Sequence, residues 1–219
     1  MLRKFCFVVV LVILCSCCCG LCESNEADDK YAQPIEVELL DDTVERDGCC
    51  GNLIFCYPNT FKYNLSGSAS KDMSDSSYMF VISEDVHKMF TFMYIDLSYE
   101  DGEESEAEIF DQYADATMYA GIKSFSGEID EEINGRFLER PARLISYTTS
   151  LGGVTHKHKS FGLYTGSGLA FIMLDYESSA IDDLDSEFDA LMGSFQIVEP
   201  EEMDFSKYNK ELVSFGAVE

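Results

Sequence analysis

Residues 143–176, RLISYTTSLGGVTHKHKSFGLYTGSGLAFIMLDY, decide the fold of this chain. The stretch contains three runs rich in apolar, β-branched and aromatic side chains, separated by Gly152-Gly153 and by a second turn at 166–168. Runs of this composition between short glycine turns are typical of antiparallel strands. The last run, 169–176, is the most apolar of the three. We therefore predict three consecutive strands of an antiparallel sheet.

The rest of the chain supplies further strands and two helices. Four other runs have strand composition, at 53–57, 77–83, 89–99 and 195–198. Apolar side chains recur every three or four residues between 109 and 120, which predicts a helix that ends at Gly121. A second helix is expected at 181–192, and Gly193 follows it. Asn134-Gly135 is the strongest short hairpin pattern in the chain, so we expect a turn there.

This order of elements predicts an α+β fold, with one antiparallel sheet flanked by two helices in an αβα sandwich. The pattern resembles the PsbP-like fold, which is also found in DcrB- and LpqN-type bacterial lipoproteins. The matching features are a strand before Pro58, a helix around 110–120, a hairpin at Asn134-Gly135 and the closing sequence FDALMGSF at 188–195. The resemblance covers about 53–198 and implies a binding or assembly factor rather than an enzyme. We place the single folded domain at 52–198.

The first 22 residues, MLRKFCFVVVLVILCSCCCGLC, have the pattern of an export signal. Arg3 and Lys4 precede an apolar run that is about half the ~20 residues a spanning helix needs. Leu14-Cys15-Ser16-Cys17 resembles a bacterial lipobox, which implies that residues 1–16 are removed and that Cys17 carries the lipid, palmitate included. An uncleaved signal anchor and simple secretion are the alternatives. We expect a lipid-anchored protein on the extracytoplasmic face of the cell membrane.

Acidic residues greatly outnumber basic residues in this chain. Forty-one Asp and Glu stand against 15 Lys and Arg, for a formal net charge of −26. This charge argues against a nucleic-acid partner, because phosphate binding needs clustered basic residues. Residues 17–51 are mostly acidic and polar and predict a flexible tether, with a short strand at 35–40, while 199–219 predict a loosely docked tail.

Three cysteines lie beyond the export signal, at positions 49, 50 and 56. In an exported protein, closely spaced thiols favour a local disulfide of Cys56 with Cys49 or Cys50. We predict the pair Cys50–Cys56. A zinc site is not expected, because no second ligand pair follows at a suitable spacing.

No catalytic or cofactor motif is present in the sequence. The chain lacks G-x-S-x-G, a Walker loop and G-x-G-x-x-G, so we predict no catalytic residues and no cofactor. His156 and His158 would share one face of a strand and could hold a metal, but the flanking Lys157 and Lys159 oppose a cation. We therefore predict a solvated edge face at these histidines and no metal site.

The sequence thus leaves two main functional hypotheses. The first is a non-catalytic binding or assembly factor whose partner is another protein of the cell envelope. The second is a small-ligand or cation-binding module on the cell surface, which would use a partly open sheet face or the acidic loop at 100–108. An enzyme is the third and weakest hypothesis.

Overall fold

The described part of the chain contains ten strands, two α-helices and three short 3₁₀ helices at Ile181–Asp183, Pro200–Glu202 and Phe205–Lys207. The computed structural model describes residues 30–58, 61, 66–69, 77–83, 87–97 and 104–209, with the backbone alone at 66–69, 77–83 and 151. The strands are β1 Gly48–Cys50, β2 Leu53–Phe55, β3 Ser66–Ala69, β4 Ser77–Ser83, β5 Lys88–Asp96, β6 Glu128–Phe137, β7 Arg140–Leu151, β8 Val154–Tyr164, β9 Gly168–Glu177 and β10 Gln196–Ile197. The helices are α1 Glu106–Ser124 and α2 Leu184–Gly193.

Seven of the strands form one antiparallel sheet in the order β3-β4-β5-β9-β8-β7-β6. The three strands predicted at 143–176 are adjacent in it as β7, β8 and β9, which confirms that prediction. Their register sets Leu144 opposite Phe161, and Phe161 opposite Ile172. Because paired residues point to the same face, this row forms a continuous apolar layer.

A smaller sheet and the two helices cover the faces of the large sheet. The small sheet has the order β1-β2-β10, and together with α2 it packs on the face that carries Phe161 and Ile172. Helix α1 packs on the opposite face, against Ile145 and Phe171. Ser105 begins α1 with a capping box completed by Glu108. The α+β fold with one helix on each side of an antiparallel sheet is therefore confirmed.

Aromatic side chains form the centre of the larger core. Phe55 from the small sheet makes edge-to-face contacts with Phe90 and Phe92 of β5, at ring-centroid distances of 5.9 and 5.6 Å. Phe195 packs against Phe55 and also lies 5.8 Å from Phe161. Contacts of this geometry add to the gain from burying the rings themselves. They join the small sheet to the large one.

The end of α1 and the turn between β6 and β7 were predicted at glycines, but the structure places both elsewhere. Helix α1 continues through Gly121 to Ser124, because Gly121 has an ordinary helical environment. The β6–β7 turn is at Leu138 and Glu139, whose φ angles of 50° and 64° are left-handed, while Asn134 and Gly135 lie within β6. The prediction of a hairpin at Asn134-Gly135 was wrong, and Gly135 has a different role, described below.

Both segments that were predicted to be loose are packed on the domain where the structure describes them. Within 17–51, Tyr31 is fully buried and Arg46 is 7% exposed, so the tether prediction fails from residue 30 onward. At the other end, Asn209 is buried and its side chain donates to the carbonyl oxygen of Cys49 at 3.0 Å. Buried side-chain contacts hold these segments in place although their composition is polar.

Candidate functional site

A segment that we call the strap, residues 32–47, crosses from β6 to the end of α2. Near its start, the amide of Ile35 donates to the carbonyl oxygen of Arg136 at 2.7 Å. Farther along, the amide of Leu40 donates to the carbonyl oxygen of Gly193 at 2.7 Å. The strap is therefore attached at two points, one on the sheet and one on the helix.

A glycine lies beneath each attachment. A Cβ atom at Gly135 would be 2.4 Å from the carbonyl oxygen of Gln33, and one at Gly193 would be 2.7 Å from that of Glu38. Both distances are shorter than real Cβ contacts, and neither glycine has a left-handed φ. The two positions therefore need glycine for the close approach of another backbone, and not for a turn.

Tyr31 and Arg143 hold the N-terminal side of the strap. The Tyr31 hydroxyl donates to Asp111 Oδ1 at 2.5 Å and accepts from Arg143 Nη2 at 2.9 Å. The Arg143 side chain is fully buried and is paired with both Asp111 and Asp115. Burial raises the pKa of Tyr31, so its hydroxyl keeps its proton and can donate. Breaking a buried ion pair is costly, so these contacts hold Tyr31 and the start of the strap in place.

Arg46 holds the C-terminal side of the strap. Its Nε donates to the carbonyl oxygen of Ser194 at 2.6 Å, and its Nη1 donates to the carbonyl oxygen of Val44 at 2.9 Å. Ser194 directly follows α2, so the guanidinium satisfies a carbonyl at the end of the helix. The strap is thus fixed at both ends and at two points between them.

The strap encloses a groove of about 1100 Å³ between itself and β10. Its floor is apolar and is formed by Ile35, Val37, Phe137, Leu138, Phe195 and Ile197. Most of these side chains also pack against the main core, which makes the floor rigid. The volume is slightly above the ~300–1,000 Å³ that is usual for ligand sites.

The rim of the groove is acidic. Its carboxylates belong to Glu36, Glu38, Asp42 and Glu139. Two arginines also line the groove, but Arg46 is bonded as described and Arg136 Nη1 donates to the carbonyl oxygen of Glu139 at 3.0 Å. Hydrogen bonds to carbonyl oxygens leave both guanidinium groups charged, but the four carboxylates outnumber them, so the groove presents net negative charge to a ligand.

Two exposed leucines extend the apolar surface to the outside of the groove. Leu39 is 47% exposed and Leu40 is 43% exposed, and both line the groove. Single exposed apolar residues are ordinary, but these two are neighbours that both line the groove, so they enlarge the apolar surface that a ligand in the groove could contact. The groove can therefore bind a ligand that is apolar on one side and cationic on the other.

The histidines form a separate cluster, on the face of the sheet that carries α1. His156 Nδ1 lies 3.0 Å from Asp175 Oδ1, and His158 Nδ1 lies 3.6 Å from the same oxygen. His158 is only 7% exposed and its ring stacks on Tyr147 at 4.3 Å. The prediction of a solvated face was therefore wrong for His158, because Tyr147 and Thr149 of the neighbouring strand β7 contact its ring.

The two imidazoles respond to their surroundings in opposite ways. The hydrogen bond to Asp175 raises the pKa of His156, whereas burial lowers the pKa of His158. His158 Nε2 is 2.8 Å from Thr149 Oγ1, and its Nδ1 lacks a hydrogen-bond partner within the described residues. No group of three or more His, Cys, Asp or Glu in this part of the chain is arranged to hold a metal ion.

The predicted Cys50–Cys56 disulfide is not present in the structure, where Cys50 is a free thiol. Gly48 pairs with Phe55 across the β1–β2 hairpin, so Cys56 is offset from Cys50 by three residues, or about 10 Å. A disulfide needs Cα atoms within ~7 Å of each other. The Cys50 Sγ instead donates to the carbonyl oxygen of Met93 at 3.2 Å, and burial raises the pKa of the thiol.

Cys17 and the rest of the predicted export signal lie outside the described residues. In the part of the chain that is described, no helix has the length and apolar character required to cross a membrane. The lipidation of Cys17 therefore stays a prediction.

Sequence reasoning did not identify the groove, although two patterns point to it. Ile35, Val37 and Leu39 alternate with acidic residues, which is the pattern of an extended segment with one buried side. Tyr31 is an isolated aromatic residue in a polar region. Neither pattern shows which surface the segment covers, because that depends on contacts between residues about 100 or more apart.

Comparisons with known proteins give similarity in fold only. No protein-family model matches the sequence, and neither does any curated protein. Among solved structures, the chain is similar to the cyanobacterial PsbP protein (CyanoP) of Synechocystis, with 13% identity over 82% of this chain and 98% of that one, and a TM-score of 0.46.

Two further structures show similarity at the same level. A Pseudomonas aeruginosa protein of unknown function has 9% identity over 61% of this chain and 98% of its own, with a TM-score of 0.42. LpqN of Mycobacterium tuberculosis, which is involved in cell envelope biogenesis, has 9% identity over 67% of this chain and 91% of its own, with a TM-score of 0.35. A likeness of this kind does not transfer a function.

Proposed function

We propose that this protein is an extracytoplasmic lipoprotein, anchored through Cys17, whose domain is a non-catalytic binding or assembly factor for another envelope component. The anchor is supported by the basic start, the apolar run and the lipobox pattern of residues 1–17. The observation that carries the binding role is the groove, with its apolar floor and acidic rim.

The groove favours binding over catalysis. Its lining carries carboxylates and two arginines that are bonded to carbonyl oxygens, but no histidine, cysteine or serine. The described lining therefore lacks a serine or cysteine nucleophile with a histidine as its general base. A rigid apolar floor with charged groups around it suits reversible recognition.

Site-specific photocrosslinking in intact cells tests the binding role. A photoreactive phenylalanine analogue replaces Leu39 at the mouth of the groove, and in a matched variant it replaces Phe205, which is 41% exposed and outside the groove. We expect a discrete crosslinked species from position 39 alone. Equal products from both positions, or none from either, would count against the groove as the binding site.

Mass spectrometry of the mature N-terminus tests the anchor. A diacylated or triacylated Cys17 is the expected result, because one acyl chain gives only reversible membrane binding. An intact Met1 would instead identify an uncleaved signal anchor.

A small ligand is the alternative occupant, since the volume of the groove is also compatible with a lipid-sized or sugar-sized molecule. Ligands that bind only the folded state raise the melting temperature. A screen of sugars, lipids and metals that produces such a rise, and loses it in Val37→Asp, would favour this alternative over a protein partner.

A further inference from the structure

The outer edge of β10 faces the groove with unpaired backbone groups. The amide of Val198 donates to the carbonyl oxygen of Asn52 at 2.9 Å, and Gln196 pairs with Ile54. Backbone groups in an antiparallel pair point alternately toward and away from the partner strand. The N–H and C=O of Ile197 therefore point into the groove, and neither has a partner among the described residues.

The strap forms the opposite wall and also presents free backbone groups. Its amides at Ile35 and Leu40 are bonded to β6 and α2, whereas those of residues 36–39 have no partner within the described part of the chain. Five residue steps separate the two attachments, which is about 17 Å of extended chain. An extended peptide of five or six residues matches this length.

The side chains define what such a peptide must carry. Glu36 and Glu38 are exposed on the strap, while Ile35 and Val37, which alternate with them, are partly buried and pack against the core. An extended ligand has the same alternation of faces, so it can direct apolar side chains to the floor and other side chains to the rim. The acidic rim and the net charge of −26 favour lysine and arginine at those outer positions.

We propose that the groove binds an extended, basic segment of a partner protein, which adds as a strand along β10 with its apolar side chains on the floor. This proposal rests on the proposed binding function and specifies its ligand. Strand addition takes affinity from main-chain hydrogen bonds and specificity from alternate side chains. The acidic rim guides a cationic segment into the groove and makes the association dependent on salt.

The test uses the full chain in detergent micelles and a capped eight-residue peptide that alternates lysine with valine, followed by fluorescence anisotropy. We expect saturable binding that weakens at high salt. A peptide with glutamate in place of lysine is expected not to bind. N-methylation of the amides on one edge of the lysine peptide is expected to weaken binding about tenfold, through the loss of strand hydrogen bonds.

Protein variants separate the rim from general charge attraction. The double variant Glu36→Gln and Glu38→Gln is expected to weaken binding about five- to tenfold at low salt. The matched control is Glu128→Gln with Glu131→Gln, which removes the same charge from exposed positions of β6, about 17 Å or more from Arg136. The control is expected to change binding less than twofold.

Each contrary result overturns the proposal in a specific way. Equal losses in the two double variants would indicate nonspecific attraction to an acidic protein. Binding that survives N-methylation, or that the glutamate peptide shares, would indicate a ligand that uses only the apolar floor. If position 39 crosslinks in cells while the lysine peptide does not bind, the groove has a partner of another chemistry, and only this inference fails.

Discussion

Replacing Gly193 with alanine should move the strap away from α2. The new Cβ would be 2.7 Å from the carbonyl oxygen of Glu38, which is backbone and cannot rotate aside. The strap must therefore shift, and the hydrogen bond from the Leu40 amide to the Gly193 carbonyl oxygen is expected to break or lengthen. Val37, which packs on the core beside it, would lose part of its contact.

The magnitude follows from opposing effects. Alanine is preferred over glycine in a helix by up to ~1 kcal/mol, and less at the last residue of a helix such as α2. Against this, the lost hydrogen bond costs about 0.5–1.5 kcal/mol and overpacking costs about 1–3 kcal/mol. We expect Gly193→Ala to lower the free energy of unfolding by about 1–3 kcal/mol.

Gly121→Ala is the matched control, because it makes the same change within α1. A Cβ at Gly121 would meet only the Tyr147 hydroxyl, at an ordinary 3.6 Å, so this variant should gain up to ~1 kcal/mol. Urea denaturation followed by circular dichroism measures both variants, and hydrogen exchange at the Leu40 amide reports on the strap. A Gly193→Ala protein as stable as the parent, with that amide still protected, would refute this account of the strap.

Three other predictions concern the titrating and buried groups. The pKa of His156 is raised, so its contribution to stability should be lost as the pH rises through that pKa. The pKa of His158 is lowered, so its contribution to stability should be lost as the pH falls below ~6.5. NMR titration should place His156 above 6.5 and His158 below it, and the reverse order would contradict the structure. Asp111→Asn should destabilise the fold by about 1–3 kcal/mol in urea denaturation, more than Asp115→Asn, because the Asp115 side chain is 63% exposed and that of Asp111 only 27%. Cys50 should resist iodoacetamide at pH 8 in the folded protein, since its thiol is buried with a raised pKa; rapid alkylation, measured by mass spectrometry, would contradict this.

The local sequence pattern was sufficient to predict most of the strands and both α-helices. The runs at 77–83 and 143–176 have strand composition and form strands β4 and β7–β9. The three- and four-residue spacing before Gly121 correctly predicted α1. These elements follow from periodicity and side-chain shape, which act over a few residues and are visible in the sequence.

Glycine and cysteine were harder to interpret, because their roles depend on what lies across from them. Gly135 resembles a turn residue beside Asn134, yet it lies inside β6 where the backbone of Gln33 crosses it. Cys50 and Cys56 are close in sequence, but the hairpin register separates them. Gln33 is about 100 residues from Gly135 in the sequence, and the spacing of the two cysteines does not show the pairing register of the hairpin between them.

The sequence by itself determined the acidic charge and most of the succession of strands and helices, and it predicts the export signal, because each of these depends on composition or on near neighbours. Only the tertiary structure decided that residues 32–47 lie on the domain and enclose a groove. That outcome depends on Tyr31 reaching Arg143, on Arg46 reaching Ser194 and on a glycine beneath each attachment. Contacts between residues about 100 or more apart are set when the sheets pack together, and no local pattern encodes them.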